Sequence, residues 1–173
     1  MKKIFGLLVC ILLLSSCDDG DLVVETFNFD EVEIEKCDDK DPLFKINGAE
    51  LLLVDIPASN FPNEVTPEGE PRIVDISSEN RVMYRKYSDV VSNTIICSAV
   101  PPATPTVEQE WNAAIGGRIE IVTTEITTTD PDTGVVTITG YNHEIKFVNM
   151  EFVGSQNSFV YDEYLFGDYV TTP

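Results

Sequence analysis

The side chains that could do chemistry are few, and acidic residues dominate them. The 173 residues include one histidine, four cysteines and 30 acidic side chains against 11 basic ones. His143 is the single group that titrates near neutral pH without a perturbed environment. It lies in a β-branched segment, where a histidine is typically a packed or surface residue with one hydrogen-bonded nitrogen. We therefore expect neither catalysis nor metal binding there.

The acidic residues form an incomplete calcium-loop pattern and no signature of a glycoside hydrolase. Asp130, Asp132 and Gly134 have the spacing that begins a calcium loop, but the third oxygen ligand and the distant bidentate glutamate are missing. A second cluster is typical of a solvated acidic turn: Asp38, Asp39 and Asp41. The carboxylate pair of a glycoside hydrolase has no sequence signature, and no nucleophile motif is present. We expect no catalytic residue, metal or cofactor, with calcium as the alternative.

The first 16 residues have the order of a secretory signal peptide. Lys2 and Lys3 precede an apolar run over residues 4–14, and Ser15 and Ser16 lead into Cys17. At about 1.5 Å per residue, this run covers roughly half of a ~30 Å bilayer core, so it is too short for a transmembrane helix. We predict that residues 1–16 are cleaved.

The sequence around Cys17 resembles the lipobox of bacterial lipoproteins, Leu14-Ser15-Ser16-Cys17. That resemblance implies a diacylglyceryl thioether on Cys17, which would become the acylated first residue of the mature chain. Several acyl chains anchor a protein stably, whereas one does not. An ordinary secretory signal with an incidental cysteine is the alternative.

Residues 17–21 form an acidic tether after the lipid. Its acidic residues resemble the export tag of Bacteroidetes surface lipoproteins: Asp18, Asp19 and Asp21. The resemblance implies attachment to the outer membrane facing the cell exterior, with attachment facing the periplasm as the alternative. A short solvated tether that is repelled by anionic lipid is compatible with both.

Charge narrows the range of partners. Removing Lys2 and Lys3 from the 11 basic residues leaves 9 against the same 30 acidic ones, a net charge of −21 for the mature chain. Nucleic acid is excluded, because phosphate binding needs a basic face. Hydrophobic residues make up 43% of the chain, so it can bury a core and is not intrinsically disordered.

Two cysteines remain after processing, because Cys10 leaves with the signal peptide and Cys17 receives lipid. In an oxidising compartment we expect Cys37 and Cys97 to form a disulfide. Two free thiols that bind a metal are the alternative, but no paired-spacing motif supports it.

Alternating apolar residues predict an all-β domain over residues 22–173, an antiparallel β-sandwich or partly open barrel with one short helix. The run Leu51 to Val54 is apolar on both parities, which indicates a central strand with both faces covered. Other predicted strands follow the same alternation: 23–35, 43–47, 50–56, 72–76, 81–87, 90–97, 118–129, 135–147, 159–161 and 165–171. A change of parity near Asp30 predicts a bulge or turn.

The helix is predicted after Thr106, which can cap it with Gln109 three residues later. Gly116 and Gly117 would end it. Its apolar face would be formed by Val107, Trp111, Ala114 and Ile115.

A hairpin turn is predicted at residues 130–134, where Pro131 and Gly134 supply the required backbone angles. A turn centred on Asp132 would pair three sets of residues: Ile126 with Ile138, Ile119 with Ile145, and Ile121 with His143. The proline-rich loop 57–71 is long for a structureless connection, and such loops are often functional. Phe61 in this loop is the candidate exposed anchor for a ligand.

Short segments over most of the chain resemble a group of flavobacterial surface lipoproteins: residues 17–21, 26–30, 37, 44–47, 110–111, 117–121, 138–141, 143, 147 and 166–169. The resemblance implies surface location, a β-rich fold and a two-cysteine pattern, and it assigns no catalytic residue. We expect a non-enzymatic interaction or accessory module of an outer-membrane protein assembly. A lipoprotein that binds a glycan or nutrient for an importer is the alternative, and an extracellular hydrolase is the third.

Overall fold

A computed structural model describes residues 26–173. The predicted signal peptide and the tether, with Cys17, Asp18, Asp19 and Asp21, lie outside these described residues. No helix within residues 26–173 is long and apolar enough to cross a membrane.

About half of the described residues lie in β-strands, which are the dominant regular structure. The strands are β1 (Glu35–Lys36), β2 (Leu43–Asn47), β3 (Glu50–Asp55), β4 (Arg72–Asp75), β5 (Arg81–Tyr87), β6 (Val107–Ala113), β7 (Arg118–Thr129), β8 (Val136–Gly154) and β9 (Ser158–Thr171). One helical turn, α1, spans Thr94–Cys97, and a 3₁₀ turn spans Ala58–Asn60. The predicted fold class is confirmed, since the strands pair antiparallel in a sheet that does not close.

The long strand β8 organises the sheet. One of its edges pairs first with β7 and then with β6, while the other edge pairs with β9. Asn149 has a positive φ of 50° between the two pairing regions. The strand order is β1-β2-β3-β5-β6-β8-β7-β4. Inward side chains from both halves of this order meet in one core, which contains Leu52, Tyr84, Ile119 and Phe147.

Strand β3 has both faces covered, as its apolar run predicts. Leu51, Leu52, Leu53 and Val54 are all buried. Leu52 and Val54 face the main core, whereas Leu51 and Leu53 face a second cluster with Phe44, Tyr87 and Val91. The predicted disulfide is present in that second cluster, where it joins Cys37 to Cys97 beside α1.

Two segments have a different secondary structure from the one predicted. The predicted helix after Thr106 is wrong, because residues 107–113 form β6 and pair with β5. Trp111 lies opposite Tyr84, and their stacked rings are 5.1 Å apart between centres. Pairing with a distant strand therefore gives this segment an extended conformation. The predicted strand 90–97 is also wrong, because its last residues form α1.

The prediction of a first strand over residues 23–35 is wrong for most of the residues that the structure describes. Residues 26–34 are not in a strand, and a turn closes where Val32 N–H donates to the Phe29 carbonyl at 3.1 Å. Phe27 and Phe29 are nevertheless buried. Tyr161 and Tyr164 fix this segment, since their hydroxyls accept hydrogen bonds from the amides of Phe27 and Phe29.

The β7–β8 hairpin is confirmed, but its predicted register is wrong. Asp130 N–H donates to the Val135 carbonyl, so the turn is centred between Asp132 and Thr133 and not on Asp132. A bulge follows between Ile126 and Thr127. The observed pairs are Ile126 with Gly140, Ile119 with Phe147, and Thr123 with His143.

Candidate functional site

His143 is buried in a chain of polar groups. It is fully shielded from solvent and stands opposite Thr123 on β7. Its Nδ1 is 2.9 Å from Thr123 Oγ1, and its Nε2 is 3.0 Å from Thr171 Oγ1. Both ring nitrogens therefore have partners, one more than the sequence predicts.

The hydrogen bonds of Thr171 and Asn63 determine the tautomer of His143. Thr171 Oγ1 donates to Asn63 Oδ1 at 2.6 Å, while the Asn63 amide nitrogen donates to the Thr172 carbonyl. Because its proton points to Asn63, the Thr171 hydroxyl accepts from His143 Nε2–H, and Nδ1 accepts from Thr123. Burial, followed by the charge of Arg72, lowers the pKa of His143 and favours this neutral form.

Phe61 is buried, so the prediction of an exposed anchor is wrong. It is 9% exposed and makes edge contacts with His143 and Tyr169 at 5.5 and 5.2 Å between ring centres. The Phe61 ring belongs to the main core cluster and so attaches the proline-rich loop to the sheet. Phe61 and Tyr169 instead line an open pocket of about 360 Å³ beside Lys36, Asn63 and Thr171.

A buried lysine is the most unusual feature of the described residues. Lys45 is 3% exposed on β2, and its Nζ donates to the Phe29 carbonyl at 2.9 Å. The ammonium also lies 5.5 Å from the centre of the Phe166 ring. Burial lowers the pKa of Lys45, while the negative charges of Asp30 and Asp168 partly offset that effect.

Lys45 lines an open groove of about 590 Å³ between residues 30–34 and β9. Its walls combine three carboxylates with apolar side chains and one tyrosine: Asp30, Glu33, Asp168, Val32, Ile34, Leu165, Val170 and Tyr169. A bulge in β9 at Phe166 places Gly167 against the lysine. Bulges of this kind often redirect side chains beside binding sites.

Lys45 is not among the site residues that the sequence predicts. The signal was available, because Lys45 has the parity of Leu43, whose side chain packs in the main core. A charged residue on the buried parity of a strand is costly unless it is paired. Such an exception to alternation marks a position that needs a structural or functional explanation.

A two-stranded arm extends beyond the rest of the sheet. We define the arm as residues 126–140, where β7 and β8 pair only with each other. Pairing of β9 with β8 ends at Tyr141, and β4 covers β7 only from Arg118 to Ile121. Both outer edges of the arm therefore lack a neighbouring strand among residues 26–173.

The surface of the arm is exposed and nearly uncharged. Val135, Val136 and Ile138 are 57%, 61% and 38% exposed. Its charged residues are Asp130 and Asp132, and both lie in the terminal turn. Native proteins usually protect open strand edges with charges, prolines or a covering element.

The predicted acidic clusters do not converge into a metal site. Asp130 Oδ1 accepts from the amides of Asp132 and Thr133, and these bonds lower the pKa of Asp130. No group of three His, Cys, Asp or Glu side chains in residues 26–173 is arranged to bind a metal. Asp38 and Asp39 line an open depression beside the disulfide.

Comparison of the chain with protein-family models, curated proteins and solved structures finds no match.

Proposed function

We propose that this protein is a lipid-anchored, surface-exposed outer-membrane lipoprotein whose β domain is a non-enzymatic interaction module. Its partner is an integral protein of the outer membrane, and the arm is the contact element. The exposed, uncharged edges of the arm are the observation that carries the proposal.

The arm has the chemistry of a strand-pairing surface. Residues 126–130 extend about 15 Å at the usual rise per residue, with backbone donors and acceptors along the outer edges. An isolated two-stranded hairpin is only marginally stable in water, so cover by a partner strand would stabilise it. Addition of a strand to a free edge is a common mode of recognition, with main-chain hydrogen bonds providing affinity.

Charge favours a partner over a second copy of the chain. Two copies of the mature chain, each with 9 basic and 30 acidic residues and so a net charge of −21, repel one another wherever their bodies approach. The arm is the long exposed segment where acidic residues are confined to the tip. A partner with a neutral or basic strand edge can pair with it without that repulsion.

The lipobox resemblance at Cys17 supports the anchor, and the acidic residues Asp18, Asp19 and Asp21 support the surface location. The disulfide is consistent with an oxidising compartment. A protein attached to the outer leaflet meets integral outer-membrane proteins at high local concentration, which strengthens a weak contact.

Recovery from detergent-solubilised outer membranes tests the interaction. Wild type should recover a stoichiometric integral protein, whereas Val136→Lys/Ile138→Lys should lose it, because lysine side chains on an open edge strand oppose the addition of another strand. The matched control is Val153→Lys/Val160→Lys, which places the same charges on exposed positions outside the arm. Equal recovery by the arm variant, or recovery of further copies of this chain alone, would refute the proposal.

Two further variants test the anchor and the location. Metabolic labelling with a fatty acid should tag wild type and leave Cys17→Ala unlabelled; equal labelling excludes the anchor.

Replacing Asp18, Asp19 and Asp21 with alanine should make the protein inaccessible to a protease added to intact cells. Unchanged proteolysis would exclude the export-tag interpretation.

A further inference from the structure

We infer that the groove between residues 30–34 and β9 binds one uncharged, hydroxyl-rich sugar residue, with Lys45 donating hydrogen bonds to it. This site goes beyond the proposed role of the arm and lies on different residues. The juxtaposition of a buried ammonium, rim carboxylates and an apolar wall carries the inference.

Lys45 has unused hydrogen-bonding capacity. A lysine ammonium carries three donors, and one of them reaches the Phe29 carbonyl. No carboxylate in residues 26–173 forms an ion pair with Lys45. The Phe166 ring gives partial compensation at 5.5 Å. Because an incompletely paired buried charge is costly, a ligand oxygen that accepts from Nζ would be bound favourably.

The backbone at Gly167 opens the groove at this ammonium. Gly167 has φ of +130°, and a Cβ there would lie 3.3 Å from Lys45 Nζ and 3.4 Å from Ile34 Cδ1. A side chain at this position would therefore crowd the donor. Glycine in a strand often marks close approach by a ligand or another backbone. The groove volume of about 590 Å³ falls within the usual range of small-molecule sites.

The charges around Lys45 select a neutral ligand. A simple anion at Nζ would face Asp30 and Asp168, whereas a simple cation at the carboxylates would face Lys45. A hydroxyl group avoids both conflicts, since it can accept from the ammonium and donate to a carboxylate. Asp168 is already oriented, because its Oδ1 accepts from the Asn142 amide at 2.8 Å.

The walls complement the rest of a sugar ring. Ile34 and Leu165 offer apolar contact for C–H faces, and Leu165 is 52% exposed in the groove wall. Tyr169 adds an aromatic ring with a hydroxyl, a side chain that supplies area and a polar group together. Several hydroxyls on one side and C–H groups on the other match this arrangement.

Protein-observed NMR on the full chain in detergent micelles tests the site. The probes are the methyl glycosides of glucose, galactose, mannose and N-acetylglucosamine. We expect at least one probe to shift the amide signals of Gly167 and Asp168 saturably. Lys45→Met should weaken that probe at least about tenfold, because a hydrogen bond to a charged group is lost. Lys146→Met, which removes an ammonium outside the groove from a side chain that is 32% exposed, is the matched control.

A second variant guards against a folding effect of Lys45→Met. Asp168→Asn keeps the shape and an oxygen for Asn142, but removes the charge that accepts from a ligand hydroxyl. It should weaken the same probe while leaving the remaining amide spectrum unchanged. The inference fails if no glycoside shifts the groove signals at saturating concentration. It also fails if Lys45→Met and Asp168→Asn both bind as wild type, or if glycine, a zwitterion, binds in place of every sugar.

Discussion

Reduction of the Cys37–Cys97 disulfide should destabilise the domain strongly. The bond attaches α1 and its neighbours to the start of the sheet across a sequence separation of 60 residues. Lys40 supports the same region, since its Nζ donates to the carbonyls of Ile96 and Ser98. The apolar second cluster around Phe44 remains after reduction, so the main change is in the freedom of the unfolded chain.

The magnitude follows from the length of the closed loop. For a loop of 60 residues, the chain-entropy relation gives about 4 kcal/mol at 25 °C. Unfolding entropy of about 2.1 cal/mol/K per residue gives about 0.3 kcal/mol/K for the described domain. Reduction should therefore lower Tm by about 13 °C. That loss is a large fraction of the stability of an ordinary domain, about 5–15 kcal/mol.

Urea denaturation with and without dithiothreitol measures this difference. The oxidised wild type should have the higher free energy of unfolding, and its reduced form should approach Cys37→Ala/Cys97→Ala. The double variant should not respond to the reductant, which separates loss of the bond from other effects of thiols. Oxidised and reduced wild type with the same unfolding midpoint would refute the loop-entropy reasoning.

Three further predictions concern buried polar groups and close packing. The fold lowers the pKa of His143, so the unfolded chain binds a proton at this residue more tightly than the folded chain does. The stabilising contribution of neutral His143 is therefore complete above about pH 6.5 and declines as the pH falls. Unfolding between about pH 7 and 5 should therefore show a steeper loss of stability in wild type than in His143→Gln. Gly154→Ala should cost about 1–3 kcal/mol and alter tryptophan fluorescence, because the new Cβ would lie 2.5 Å from Trp111 Nε1. Tyr161→Phe should cost about 1–3 kcal/mol and speed hydrogen exchange near Phe27, whose amide and carbonyl both bond to that hydroxyl.

Matched variants make these results specific. Gln156→Ala changes the same hairpin as Gly154 but adds no atom beside the indole, so Tm and fluorescence should stay near wild type. Tyr141→Phe removes a tyrosine hydroxyl on the neighbouring strand β8 and should leave exchange at residues 26–30 unchanged. Equal pH slopes for wild type and His143→Gln, equal Tm for Gly154→Ala, or unchanged exchange in Tyr161→Phe would each contradict the corresponding prediction.

Strand prediction succeeded where the local pattern was strong. β2, β3, β5 and β7 lie close to their predicted bounds, because alternation and β-branched residues favour extended backbone over many positions. The turn at residues 130–134 was also predictable, since proline and glycine impose their backbone angles locally. Gly134 has the positive φ that this interpretation requires, 72°.

Prediction failed where two local patterns competed. The segment after Thr106 has apolar spacing that suits a helix, yet Trp111 also suits a strand whose other neighbours are exposed. The stacking of Trp111 on Tyr84 and its hydrogen bond to Asn157 decide between the two. The predicted hairpin register differs from the observed one because the turn closes between Asp130 and Val135 and because a bulge between Ile126 and Thr127 shifts the pairing again.

The sequence by itself determined the acidity, the β class, the strongest turn and the pairing of two cysteines left after the predicted processing. Each follows from composition or from neighbours close in the chain. Only the tertiary structure decided that Phe61 is buried, that His143 has two partners, that Lys45 faces a groove and that the arm is uncovered. Those properties depend on contacts between residues far apart in sequence, such as Lys45 with Gly167, and no local pattern encodes which distant strand becomes the neighbour.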